Sequence, residues 1–192
     1  MYPLSRLTNS SSAATIDPTP FHDPLQHLIA CHERIEERLQ TLERLAPHLR
    51  SESEQKRQEA RAALDNALDF LERMGALHTA DEEESLFPRL LGRECADMEL
   101  FKELAEMLET QHREKEGVLE NLLATVKTLP PSPELPSESQ ATKVSVLIDH
   151  LASLYRPHIM IENQRLIPLS GEYLKEAELE QMRQEMRNRR GL

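Results

Sequence analysis

Four long stretches of the sequence carry apolar residues three and four positions apart, and a histidine interrupts each of them. This spacing places side chains on one face of an α-helix, so each stretch predicts an amphipathic helix that buries that face. The interrupting residues are His32, His78, His112 and His158. The pattern predicts an all-α fold, an up-down-up-down four-helix bundle with polar side chains inside its core.

Turn and capping residues predict where these helices begin and end. Asp23 precedes a proline, which is typical of a helix start, and Asp97 is expected to cap the third helix. The second helix is expected to span about residues 52–91. A proline-rich loop, residues 130–136, separates the third helix from the fourth, in which Pro157 is expected to cause a kink.

A length of 192 residues favours one domain with terminal tails. Residues 1–21, rich in serine, threonine and proline, are expected to form a flexible N-terminal arm, and residues 22–170 the bundle. Ser170 and Gly171 are expected to break the fourth helix. Residues 171–192 then form a charged C-terminal helical extension with a thin apolar stripe. Three states are open to it: docking on the bundle, pairing with a protein partner, or partial solvation.

Composition narrows the partners and the compartment. The net charge of −11 opposes binding to nucleic acid or to an anionic membrane surface. No apolar run is long enough for a signal peptide or a membrane-spanning helix, so a cytoplasmic protein is expected. Cys31 and Cys95, the two cysteines, are far apart in sequence and predict neither a disulfide framework nor a thiolate zinc site.

One longer pattern, His-x-x-x-Glu-x-x-x-Leu-apolar-Pro, occurs twice, beginning at His78 and at His158. Residues four apart share a helical face, so each copy offers an imidazole and a carboxylate to one point in space. The spacing alone is a weak signal, because five of the eight histidines have a glutamate four residues on. The level of each histidine along the bundle is more informative than the spacing. The midpoints between His78 and His112 and between His112 and His158 both fall in predicted loops, which places these histidines at one level of an antiparallel bundle.

Three carboxylates, from Glu82, Glu116 and Glu162, are expected in the same core layer as the four imidazoles. A single inward histidine is most often a core residue with a local hydrogen bond, but an unpaired buried carboxylate costs several kcal/mol, so the whole set favours a metal. Imidazoles and carboxylates without thiolates suit iron, with zinc, manganese or a mixed pair as alternatives, and two metals fit so many ligands better than one. Glu36 and Glu83 are spare candidates. The predicted metal ligands are His32, His78, Glu82, His112, Glu116, His158 and Glu162.

These residues resemble the hemerythrin-like (HHE) cation-binding family, through DPLQHLIACHERIEERL, HTADEEESLFPRL, QHREKEGVLENLL and HIMIENQRLIPL. The resemblance implies a four-helix bundle that holds a non-haem di-iron centre. It also implies that His32 and His78 serve one iron, that His112 and His158 serve the other, and that two carboxylates bridge them, Glu82 and Glu162. Oxygen-carrying members of that family have a second histidine on the third helix, where this chain has Glu116.

That departure leads to an expectation about redox chemistry. A carboxylate in place of an imidazole adds negative charge, which stabilises ferric iron and favours oxidation over reversible oxygen binding. Ready autoxidation is therefore expected, with a longer-lived oxygen adduct in Glu116→His. The alternative is that Glu116 points away from the centre and leaves an open coordination position.

Three functions remain open on the sequence. The first is a di-iron protein that binds or senses dioxygen, nitric oxide or peroxide, or handles iron. The second is an enzyme with oxidase, peroxidase or iron-centre repair chemistry. The third is a helical interaction module whose metal is structural or whose site is empty. The expected partners are a small diatomic ligand or peroxide, and neither nucleic acid nor a membrane. Whether the chain has a protein partner is left open, with residues 171–192 as the segment that could contact one.

Overall fold

The computed structural model describes residues 23–131 and 134–192, so the expected N-terminal arm lies outside the described residues. All regular secondary structure within those two ranges is helical. A 3-10 turn (Ala46–Arg50) follows the first helix, and two π-helical turns interrupt the later ones, the first at Asp81–Leu86 and the second at Glu162–Leu166. The α-helices are α1 (Pro24–Leu45), α2 (Glu54–Ala80), α3 (Phe87–Leu91), α4 (Met98–Lys127), α5 (Glu138–Ile161), α6 (Ile167–Tyr173) and α7 (Glu176–Arg189).

Four helical rods make the bundle. Helix α2, the first π turn and α3 form one rod, and α5, the second π turn and α6 form another, while α1 and α4 are single helices. Helix α1 packs on α2 and α5, and α4 packs on the same two rods. The predicted all-α four-helix bundle is confirmed. No described helix is both long enough and apolar enough to cross a membrane.

Capping side chains fix three of the helix starts. The Asp23 carboxylate accepts from the backbone N–H groups of the first turn of α1, Ser53 caps α2, and Ser137 forms a capping box at the start of α5. Asp97 stands at the N-cap position of α4, but its side chain makes no capping bond. Its carboxylate accepts instead from the Tyr173 hydroxyl, which ties the end of α6 to the start of α4.

The π turns replace part of the continuous helices that the sequence pattern predicts. Each is followed by a proline, Pro88 or Pro168, two residues into the next helix. A proline has no N–H and its ring clashes with the carbonyl four residues earlier, which here lies inside the π turn, so the helix widens there. Pro157, by contrast, lies within regular α-helix, and the departure from α geometry comes after His158.

Two apolar clusters lie on either side of a polar layer. The large cluster surrounds Leu39, Leu68 and Leu151, and the small cluster surrounds Leu28 and Phe87. All of these side chains are at most 2% exposed. The histidines and glutamates of interest lie between the two clusters along each rod, so water is excluded from the polar layer on both sides.

The C-terminal segment docks on the bundle. The predicted helix break at Ser170 and Gly171 is wrong, because α6 continues to Tyr173 and the Ser170 hydroxyl donates to a carbonyl of the preceding turn. Helix α7 then packs against α1 and the first π turn. Met182 and Met186 are fully buried in the small cluster. Of the three states that the sequence left open, the structure has the docked one.

Candidate metal centre

Six of the seven predicted ligands converge in the polar layer. Each of the four rods supplies one histidine, and each π turn supplies one glutamate. None of the six side chains is more than 5% exposed. They are His32 on α1, His78 on α2, Glu82 in the first π turn, His112 on α4, His158 on α5 and Glu162 in the second π turn.

The donor atoms of these residues form two groups that share both carboxylates. One group contains the imidazoles of His32 and His78, and the other contains those of His112 and His158. Glu82 and Glu162 belong to both groups. Within each group, one ligand atom from every residue lies within 4.8 Å of all the others, so each group could surround a metal ion.

Each carboxylate turns one oxygen toward each group. Glu82 Oε1 lies 3.4 Å from His78 Nε2, and Glu82 Oε2 lies 3.2 Å from His112 Nε2. Glu162 Oε2 lies 3.0 Å from His32 Nε2, and Glu162 Oε1 lies 2.8 Å from His158 Nε2. Each carboxylate thus offers one oxygen to each pair of histidines.

The spacing of the donors fits a coordination sphere. For metal–ligand distances of about 2.1 Å, neighbouring ligand atoms are about 3.0 Å apart in an octahedron and about 3.4 Å apart in a tetrahedron. The two closest imidazoles, His32 and His78, have Nε2 atoms 3.0 Å apart. Both oxygens of Glu82 and Glu162 are buried without a hydrogen-bond partner in the described residues. Buried acceptors that face one another repel unless a cation or protons lie between them, so the residues fit a metal.

Hydrogen bonds outside the layer point three imidazoles inward. His32 Nδ1 donates to Asn163 Oδ1 over 2.7 Å, and His112 Nδ1 donates to Glu83 Oε1 over 2.7 Å. His158 Nδ1 donates to Gln111 Oε1 over 2.8 Å. A proton held on Nδ1 leaves the lone pair on Nε2, the atom that faces the carboxylates, as in histidines that ligate metals.

His78 is the exception among the four. Its Nδ1 is buried and has no hydrogen-bond partner within the described ranges. Gln111, which serves His158, directly precedes His112, whereas the residue that directly precedes His32 is Cys31. The Cys31 sulfur instead lies 3.5 Å from His27 Nε2. The two halves of the centre therefore differ in the support that they give to the histidine of each repeated pattern.

The electrostatics keep both carboxylates ionised. Burial alone raises the pKa of Glu82, but the surrounding histidines outweigh it and hold that pKa well below its ordinary range. Burial and the neighbouring Glu82 raise the pKa of Glu162, yet His158 and His32 bring it down to about 2. Anionic carboxylates at neutral pH are the form that binds cations.

The direction of the pKa shift divides the four histidines into two pairs. Burial by itself lowers the pKa of His32. The carboxylates of Glu162 and Glu82 outweigh burial and raise that pKa to about 10. Burial also opposes the charge on His112, whose pKa Glu82 nevertheless raises. Burial dominates at the other two, lowering the pKa of His78 to about 3 and that of His158 below its ordinary value. The pKa is therefore raised at His32 and His112 and lowered at His78 and His158, and a metal that binds these imidazoles has to displace any proton on the donor nitrogen.

Glu116, the seventh predicted ligand, does not join the centre. It is exposed and belongs to neither donor group, while Lys115 beside it is only 4% exposed. On an α-helix the residue four after His112 is rotated by about 40° in one direction, and the residue three after it by about 60° in the other. The rotation of α4 against its neighbours turns Lys115 inward. The structure therefore keeps Glu116 apart from the six clustered donors. The oxygen chemistry expected of Glu116→His, which assumes a ligand at that position, stays a prediction.

Lys115 brings a cation to the edge of the polar layer. Its Nζ lies 4.6 Å from the centroid of the Tyr155 ring, in a cation–π contact on the side of the large cluster. Burial lowers the pKa of Lys115 to about 8, against the attraction of Glu162, Glu82 and Glu83. The charge added at the third helix is thus positive, whereas the sequence interpretation expected a negative one.

Some of these residues left a signal in the sequence and others did not. An acceptor directly follows the glutamate of each repeated pattern, Glu83 in one copy and Asn163 in the other, so comparison of the copies could have identified both. Of the two spare candidates, Glu83 hydrogen bonds to a ligand, and Glu36 forms a surface ion pair with Arg156 instead. Nothing in the sequence distinguished Lys115 from its neighbour.

A cavity of about 410 Å³ lies elsewhere, at the end of the bundle near the proline-rich loop. Leu49, Leu129 and Pro130 are among its lining residues, and none of the six clustered donors lines it. The cavity is therefore separate from the centre. It gives no support for a large substrate at the polar layer.

Residues 23–170 match the family model described as the Hemerythrin HHE cation binding domain. No curated protein sequence matches the chain. The matched residues begin at the cap of α1 and end within α6, so they include all six clustered donors.

Proposed function

The chain belongs to the hemerythrin HHE cation-binding domain family, and on that premise we propose that its polar layer holds two iron ions and binds a small ligand. The ligands proposed are dioxygen, nitric oxide or peroxide, and the protein serves to bind or sense one of them or to handle iron. The observation that carries this proposal is the orientation of Glu82 and Glu162, each with one oxygen toward either histidine pair.

The donor set supports iron. Four imidazoles and two carboxylates without a thiolate suit iron, with zinc or manganese as the alternatives. Each donor group offers four residues, and octahedral iron takes six ligands, so a pair of irons would retain positions for a small molecule. Bound iron would supply one-electron and oxygen chemistry.

The chain's own residues restrict what can enter and orient the site. The six donors are almost completely buried between two apolar clusters, which favours small ligands over extended substrates. Asn163, Glu83 and Gln111 hold three imidazoles in the ligating tautomer. The ammonium of Lys115 favours anionic species at the edge of the layer and opposes an increase in positive charge there, as occurs when iron is oxidised.

An enzyme is the second candidate, and Lys115 is the observation that favours it. An oxidase, a peroxidase or an iron-centre repair enzyme needs a group that can exchange protons beside its metals, and burial lowers the pKa of Lys115 to about 8. A module with only a structural metal is the third candidate. It requires that the site bind a single metal with no exchangeable ligand.

The test is anaerobic reconstitution with ferrous iron, followed by metal counting and absorption spectra before and after exposure to air. We expect about two irons per chain and a new absorption band after air. His158→Ala should reduce the iron content. Glu116→Gln changes an exposed glutamate that also stands four residues after a histidine, and it should leave the iron content unchanged. A single tightly held zinc, or no iron, would count against the di-iron proposal.

A further inference from the structure

Two arginines at the C-terminal end of α7 form ion pairs with the residue that precedes a predicted metal ligand. Asp81 is fully buried and stands directly before Glu82 in the first π turn. Arg189 reaches one of its carboxylate oxygens over 2.9 Å, and Arg190 reaches both, over 3.1 and 2.6 Å. Arg190 itself is only 8% exposed, so this is a buried ion-pair network.

The side chain of Arg189 also binds two further residues of the π turn. Arg189 donates to the hydroxyl of Ser85 over 2.8 Å and to the carboxylate of Glu84 over 3.1 Å. Asp81, Glu84 and Ser85 surround Glu82 in sequence, so α7 holds the turn both before and after the ligand. A π turn is an uncommon backbone geometry, and such turns persist where the surroundings hold them.

The rest of α7 is anchored along α3 and the small cluster. Arg89 forms a two-point ion pair with Glu185, at 2.8 and 3.0 Å, and Arg93 pairs with Glu178 near the other end of the helix. Met182 and Met186 of the same helix are fully buried. The helix therefore docks as one unit, with the π turn at one end of the contact.

We propose that α7 is a clamp on the first π turn, that Arg189 and Arg190 are positioning residues for Glu82, and that helix docking and metal binding stabilise each other. The inference rests on the proposed function, because it takes Glu82 to be a metal ligand. Since a coupling free energy is shared by both events, the factor by which docking raises metal affinity is the factor by which metal opposes undocking. Metal binding thereby changes the docking equilibrium of α7, a surface helix that a protein partner can contact.

The coupling is measured with zinc(II) as the probe, by competition with a chelator in the full-length protein. Arg190→Gln and Asp81→Asn are expected to lower zinc affinity about tenfold, within the range usual for two coupled sites. Arg190→Lys, which keeps the charge, should restore part of the loss. Arg93→Gln is the matched control: it removes an ion pair of the same helix far from the π turn, so zinc affinity should change less than about twofold.

Hydrogen exchange over residues 176–189, compared with exchange in the rest of the bundle, supplies a second readout, because zinc slows all amides that exchange through global unfolding. In the wild type, zinc should slow exchange of α7 by about the same factor that separates the affinities of wild type and Arg190→Gln. This comparison of wild type with and without zinc stands even where a variant fails to fold. Exchange that does not respond to zinc, or an unchanged affinity in a folded Arg190→Gln, overturns the coupling alone. A wild type that binds no metal overturns both proposals.

Discussion

The two π turns arise from the same sequence pattern and carry out the same task, yet the structure supports them differently. Each presents a carboxylate with one oxygen toward either histidine pair, and each continues with an acceptor for a histidine on another rod. In the first turn, Asp81 and Ser85 are buried and held by α7. The corresponding residues of the second copy are Ile161, the last residue of α5, which is only partly buried, and Arg165 in the second turn, which is exposed.

The cations around the two turns differ in the same way. Arginines hold the first turn from outside, through a neighbour of the ligand. Lys115 is buried at the inner edge of the layer, where the carboxylates of Glu162, Glu82 and Glu83 attract its ammonium without an ion pair within 4.0 Å among the described residues. A local pattern therefore suffices to place a candidate metal ligand, whereas the residues that hold it in place come from elements that pack nearby.

The largest expected effect tests what the two turns share. Glu82→Gln and Glu162→Gln should each reduce the metal content from about two ions per chain to one or fewer, because each carboxylate serves both donor groups. The measurement is metal counting after anaerobic reconstitution. The bridging arrangement would be wrong if either variant still held two metals.

Lys115→Met tests the buried cation at the inner edge of the layer. The difference between an ordinary pKa of 10.5 and one of about 8 corresponds to about 3 kcal/mol of destabilisation of the charged form at neutral pH. Methionine fills similar space without the charge, so the metal-free variant should unfold with a higher free energy at pH 7, by about that amount.

The difference in stability between Lys115→Met and wild type should also depend on pH, and the lowered pKa of Lys115 sets the direction. Between about pH 8 and 10.5 folded Lys115 has lost a proton that the unfolded chain retains, so its contribution to stability rises with pH across this window. The excess stability of Lys115→Met over wild type should therefore shrink as pH rises. Groups that do not interact with Lys115 titrate alike in both proteins and cancel in the difference. A constant difference would contradict the burial of a charged ammonium.

A smaller effect compares the acceptors that follow the two ligands. Glu83→Ala and Asn163→Ala should each lower metal affinity by about 10- to 100-fold, because each removes the partner that fixes an imidazole tautomer. Chelator competition measures the affinity, and Gln164→Ala, at the exposed neighbour of Asn163, is the matched control. A loss in only one of the two variants would show that the outer support is also unequal.

The smallest expected effect concerns the third copy of the His-x-x-x-Glu spacing, which has no π turn. Glu116→Gln should change neither the metal content nor, beyond about 0.5 kcal/mol, the free energy of unfolding, because the side chain is exposed on a regular helix. Metal counting and thermal or denaturant unfolding check both. Loss of metal in this variant would restore Glu116 to the candidate ligands.

The sequence by itself determined the bundle, the four histidines in its core and their common depth. Helical periodicity is local, and loop position fixes how antiparallel helices align, so neither needs knowledge of the packing. The repeated pattern also indicated Glu82 and Glu162, because their distance from a histidine is set by the geometry of one helical turn.

Only the tertiary structure decided what surrounds these ligands. Residues at three and four positions after a histidine lie on either side of it, and the rotation of α4 against its neighbours turned Lys115 inward and Glu116 outward. The docking of α7 depends on arginines that meet Asp81 more than one hundred positions earlier in the chain. Contacts of that kind depend on the relative placement of whole helices, which periodicity along one helix does not encode.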